Sequence, residues 1–116
     1  MTPFGQRLRD LRQQHGHALK DMARALKVSS AYLSALEHGH RAQPKPGFVQ
    51  QVAAYFNLAW EEVDELKALA ELSDPKPSID TRGLSPLATE VANRLRGRIK
   101  TLDEATLKAI LKQLSK

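Results

Sequence analysis

Ala18-Leu19-Lys20-Asp21-Met22-Ala23-Arg24-Ala25-Leu26-Lys27-Val28-Ser29-Ser30-Ala31-Tyr32-Leu33-Ser34-Ala35-Leu36-Glu37-His38-Gly39 is the stretch whose reading decides the fold. Leu19, Met22, Ala23 and Leu26 recur at intervals of three and four, which stripes one face of a short helix. Leu33 and Leu36 mark a second helix, entered through Ser29-Ser30 as a cap and closed by Gly39. Ala23 is small where two such helices cross closely, and Val28 plugs the turn between them. With Leu33 and Leu36 facing inward, Ser30, Ala31, Ser34 and Ala35 fall on the outer side of the second helix.

Working outward, Phe4, Leu8 and Leu11 stripe a preceding helix that Gly16 stops. After Gly39, two prolines and a glycine in Arg41–Gly47 forbid regular helix. A fourth helix follows with Phe48, Val49, Val52, Ala53 and Phe56 inward, and Asn57 reads as its left-handed stop. Trp60, Val63, Leu66 and Leu69 stripe a fifth. Ser73–Gly83 has the composition of a linker. Ser85-Pro86 caps and opens a helix carrying Leu87, Val91, Leu95 and Ile99. Thr101-Leu102-Asp103-Glu104 fits the capping-box pattern ahead of a last helix with Leu107, Ile110, Leu111 and Leu114. The expected architecture is all-α. A five-helix DNA-binding domain with a helix-turn-helix spans 1–72, a linker 73–84, and a two-helix C-terminal tail 85–116. The tail helices are expected to bury one face against each other, with the residual apolar stripe covered by a second copy of the tail or by folding back onto the first domain.

The central stretch resembles the Cro/phage-repressor (Xre) helix-turn-helix family. That family places Leu-Ala in the first motif helix, Val-Ser at the turn, then Tyr-Leu-Ser and Glu-x-Gly. Here those positions are Met22-Ala23, Val28-Ser29, Tyr32-Leu33-Ser34 and Glu37-His38-Gly39, and the resemblance runs from about Phe4 to Leu66. It implies that the outer side of the second motif helix enters the major groove of duplex DNA, N-terminal end first. Carried over position by position, Ser30, Ala31 and Ala35 fall where family members read base edges. Ser29, Tyr32 and Ser34 fall near phosphate, and His40, Arg41 and Lys45 follow where relatives touch the sugar-phosphate backbone. Arg12 and Glu37 match a pair that bridges the first and third helices in relatives. The family often carries Gln, Arg or Asn on the reading face. Ser and Ala here point instead to thymine methyl contacts, water and DNA shape. The implied function is sequence-specific regulation of transcription, as a repressor binding a palindromic operator as a homodimer. The alternative implied by small relatives is an antitoxin, whose tail covers a toxin or another protein partner.

Charge distribution points the same way. Residues 1–47 hold eight Lys/Arg against three Asp/Glu, residues 48–79 two against six, and residues 80–116 eight against four. A basic front and tail flank an acidic middle, as when one surface meets a polyanion and another does not. Without cysteine there is no disulfide framework and no thiolate metal site. His15/His17 and His38/His40 form His-x-His pairs, but no carboxylate stands at helical spacing to complete a metal site, so they read as polar turn residues. No phosphate loop, nucleophile elbow or zinc pattern is present in the sequence. The expectation is therefore no enzyme activity, no cofactor and no metal. No apolar run is long enough to span a membrane, and the expected location is the cytoplasm.

Overall fold

Thr2 and Pro3 begin the first helix, the threonine hydroxyl accepting from the Gly5 N–H at 3.0 Å and the proline occupying a first-turn position that needs no donor. The structure is a computed structural model that describes residues 1–41 and 43–115. Ala42 and Lys116 lie outside them. The chain divides into two units, Met1–Pro77 and Ser78–Lys116. The first contains α1 (Pro3–Gln14), α2 (Leu19–Leu26), α3 (Ser30–Glu37), α4 (Pro46–Tyr55) and α5 (Trp60–Glu71). The second contains α6 (Pro86–Arg98), one 3-10 turn (Ile99–Thr101) and α7 (Glu104–Leu114). Every regular element among the described residues is helical.

In the first unit α1 packs on α3 and α5, α2 on α3 and α4, and α4 on α5. The core takes Phe4, Leu8 and Leu11 from α1 and Leu33 and Leu36 from α3, with α2, α4 and α5 closing around them. Burying a Leu or Phe side chain contributes about 1.5–3 kcal/mol, so this cluster is what holds five short helices together. None of them is long enough to persist alone in water. Asn57 closes α4 with φ +51°, in the left-handed region.

Two expectations are corrected here. Trp60 does not join the inward stripe of α5 but is 85% exposed. Leu66 and Ala70 define the buried line of that helix. Trp60, six residues before Leu66, falls about 120° around the axis from it. Ser73 does not behave as a linker residue. Its side chain is buried, its Oγ accepts from the Phe4 N–H at 2.8 Å, and its hydroxyl donates to the Leu69 carbonyl. It thereby satisfies a first-turn donor of α1 that no residue of that helix can reach, which ties the end of α5 back to the start of the chain.

The second unit differs in kind. The Ser85 hydroxyl caps α6, accepting from Ala88 N–H at 3.2 Å. Asp103, rather than Thr101, caps α7. Its carboxylate accepts from Thr106 N–H at 2.8 Å, and hydrogen bonding from Thr106, its side chain first and its backbone N–H second, holds the Asp103 pKa below the usual carboxylate value. Thr101 is instead spent ending the 3-10 turn, its hydroxyl donating to the Arg98 carbonyl at 2.9 Å. The expected mutual burial of the two helices reaches only half-burial, at residues such as Leu95, Leu102 and Ile110. Among residues 78–115 none is buried, and Leu87, Val91, Leu107, Leu111 and Leu114 stay exposed.

Candidate nucleic-acid interface

The reading face depends first on the turn between α2 and α3. Lys27 leaves α2 in the left-handed conformation, φ +59°, which costs a non-glycine residue about 1–2 kcal/mol. The return is that Val28 N–H reaches the Ala23 carbonyl at 3.0 Å and the Val28 side chain packs against the core. Ser29 then caps α3, its Oγ accepting from Tyr32 N–H at 3.0 Å. That hydroxyl still has a proton to donate outward. At the far end His38 Nδ1 sits 2.9 Å from the Ser34 carbonyl. A carbonyl only accepts, so Nδ1 is the donor in this contact. Gly39, at φ +74°, turns the chain where a Cβ would stand 3.0 Å from backbone atoms of Met1 and Thr2. Only glycine meets both demands there.

The inner side of α3 is locked from behind. Glu37 is 2% exposed and receives a forked pair of bonds from Arg12, Nε to Oε2 at 2.8 Å and Nη2 to Oε1 at 3.2 Å. Arg12 Nη1 also donates to the His17 carbonyl at 3.3 Å. The hydrogen bonds to Glu37 raise the Arg12 pKa further above its ordinary value, burial opposing them. A bidentate pair of this kind fixes angle as well as distance. Gly5 of α1 completes the fit. A Cβ on it would fall 2.6 Å from the carbonyl oxygens of both Leu36 and Glu37, so α1 lies against the end of α3 backbone to backbone.

On the outer side Ser29, Ser30 and Ala31 are exposed, and Tyr32, Ser34 and Ala35 are half-buried. His40, Arg41 and Lys45 are exposed along the segment after α3, with Lys45 at the N-cap of α4. The Arg41 guanidinium lies over the Tyr32 ring, 5.4 Å from its centroid. The Phe48 ring meets Tyr32 edge-on at 5.9 Å. The outcome is a small-residue surface on α3 with a cationic, aromatic-backed edge.

Sequence reasoning missed several supports. Gly5 sits inside a helix, where glycine carries no capping meaning. Ser73 gains its role only from a partner 69 residues away. His15 and His17, read as polar turn residues, pack on α4. His17 Nδ1 is 2.6 Å from the Tyr55 hydroxyl and both histidine rings lie against Phe56. Among the described residues no group of three or more His, Asp or Glu stands together as a metal site would require. No helix there is long and apolar enough to cross a membrane.

Two short helices packed on each other, joined by a tight turn through the left-handed Lys27, with Ser30 and Ala31 exposed on the second, define a helix-turn-helix. The model of a helix-turn-helix domain family matches residues 3–66, and the chain belongs to that family. It is 36% identical over 63 residues to an uncharacterized HTH-type transcriptional regulator, RghRB, of Bacillus subtilis, covering 54% of this chain and 45% of that protein. It is 33% identical over 87 residues to the HTH-type transcriptional regulator DdrOP3 of Deinococcus deserti, covering 75% and 65%. A third relative, the HTH-type transcriptional repressor RghR of Bacillus subtilis, is 33% identical over 61 residues, covering 53% and 45%. The matched stretch therefore spans less than two thirds of each of these relatives.

Proposed function

We propose that the chain is a sequence-specific duplex DNA-binding regulator of transcription, acting as a repressor, with α3 lying in the major groove. The observation that carries this reading is the uncovered outer face of α3. Its small side chains allow close approach to base edges, and no carboxylate stands among its residues Ser30–Ala35 to repel phosphate. Occupancy of a promoter is enough for repression, and one relative bears the name of a repressor.

The tail supports a homodimer. Its apolar stripe is exposed along both helices, and an isologous pair would cover it while presenting two reading helices to one site. The docking geometry of helix-turn-helix dimers then gives two half-sites about 10 bp apart, centre to centre. Selection of bound sequences from a random DNA pool tests the reading. A palindromic consensus is expected, and Ala35→Glu should abolish its binding without loss of helicity, by placing a carboxylate in the groove. Recovery of no consensus, or full binding by that variant, would sink the assignment. Sedimentation of the full chain and of residues 1–77 tests the tail, with a dimer expected for the first and a monomer for the second.

A further inference from the structure

Arg41, on the segment that follows α3, is held by a specific neighbour on that helix. An exposed arginine has many rotamers, and ordering one on binding costs about 0.5–1.5 kcal/mol. Here the guanidinium already lies over the face of Tyr32, 5.4 Å from the ring centroid, where the ring quadrupole attracts it. Tyr32 is itself held, half-buried on α3, by the edge of Phe48 at 5.9 Å and near-perpendicular. Phe48 belongs to α4 and packs against the core. A line of three side chains thus runs from the core to the edge of the reading face. It stops at a charge with no carboxylate bonded to it among the described residues.

We propose that Tyr32 is a positioning residue that presents Arg41 to a DNA backbone phosphate. Its ring is preset by Phe48, so that the contact forms with little ordering on binding. This rests on the DNA-binding reading above and assigns Tyr32 a role through Arg41 instead of a direct hydroxyl–phosphate bond. The attraction to the ring face uses the guanidinium's charge and not its N–H groups, which remain able to donate to phosphate oxygens. A phosphate contact carries no base information, so the arrangement strengthens binding to all duplexes and sets the depth of α3.

The test is a double-mutant cycle on the full chain, with a duplex from the selection above and a random-sequence duplex as probes. Tyr32→Leu should weaken binding to both about two- to fivefold, the range of an exposed cation–aromatic pair. In an Arg41→Ala background it should have no further effect. Tyr32→Phe keeps the ring and should bind as the parent does. Equal loss in Tyr32→Phe and Tyr32→Leu would instead assign the contact to the hydroxyl, and multiplying effects of Tyr32→Leu and Arg41→Ala would make the residues independent. Either result overturns the proposal. A measurement without DNA guards against a misfolded leucine variant. The Arg41 Hδ protons should show an upfield ring-current shift in the parent and in Tyr32→Phe, and its absence in the parent overturns the clamp. If the parent binds neither duplex, the DNA-binding reading fails first, and the ring-current shift persists to show that the fault lies there.

Discussion

The two units of this chain use the same helical grammar and reach opposite ends. In Met1–Pro77, five helices of 8–12 residues bury fourteen apolar side chains, and even a glutamate is enclosed and paired. In the second unit, helices of 13 and 11 residues are capped by Ser85 and Asp103 as well as any in the first, yet none of its described residues is buried. Caps and periodicity establish where a helix starts and which face is apolar. They do not supply the surface that covers that face. The first unit carries its own cover, and the second leaves its apolar stripe exposed among the described residues.

That contrast can be broken most forcefully at Arg12. Arg12→Ala leaves the Glu37 carboxylate enclosed and unpaired, a loss of about 3–5 kcal/mol, read as a fall in the denaturation midpoint of residues 1–77. A loss below about 1 kcal/mol would mean that water or another cation reaches Glu37. Next is a pair of leucines. Leu33→Ala should cost the first unit about 2–5 kcal/mol, whereas Leu111→Ala should leave the midpoint of that unit unchanged and lower only the association constant of the full chain. If both variants shift the same transition equally, the two units do not fold separately.

The smallest expected effect concerns pH in the tail. Asp103 has its pKa lowered by the bond from Thr106, so its contribution to α7 is present above the ordinary aspartate value of 3.8 and disappears as pH falls through the lowered one. Helicity of the full chain should therefore drop slightly in that acid range, and the Asp103→Asn variant should lose that part of the drop. An identical acid limb in parent and variant would remove Asp103 as the operative cap.

Much of this was written in local pattern. The left-handed stop at Asn57, the Ser29 cap and the inward Leu33 and Leu36 all follow from residue types at short spacing. What local pattern could not carry was anything decided by a distant partner. Trp60 fits an apolar stripe by spacing alone, because a window starting at residue 60 does not reveal that the buried line runs through Leu66 and Ala70. Ser73 carries the composition of a linker and is a cap for α1. The Arg12–Glu37 fork came from family resemblance and not from spacing. Arg41 over Tyr32 depends on the course of the loop after α3, which no periodicity describes. At the candidate interface the residues themselves were named from the resemblance, while the ladder from Phe48 through Tyr32 to Arg41 emerged only in three dimensions.

The backbone contact at Gly5 has a consequence for how such a protein can change. Because α1 touches the carbonyls of Leu36 and Glu37 with no side chain between, a single added methyl must displace one helix from the other. The contact lies at the C-terminal end of α3, so a tilt of the helix about it moves most the opposite end, where Ser30 and Ala31 stand. On the DNA-binding reading proposed above, operator preference is open to revision from the rear of the domain, by a substitution remote from the reading face. Variation at position 5 among natural chains should track changes in binding site even where every residue of the reading face is the same.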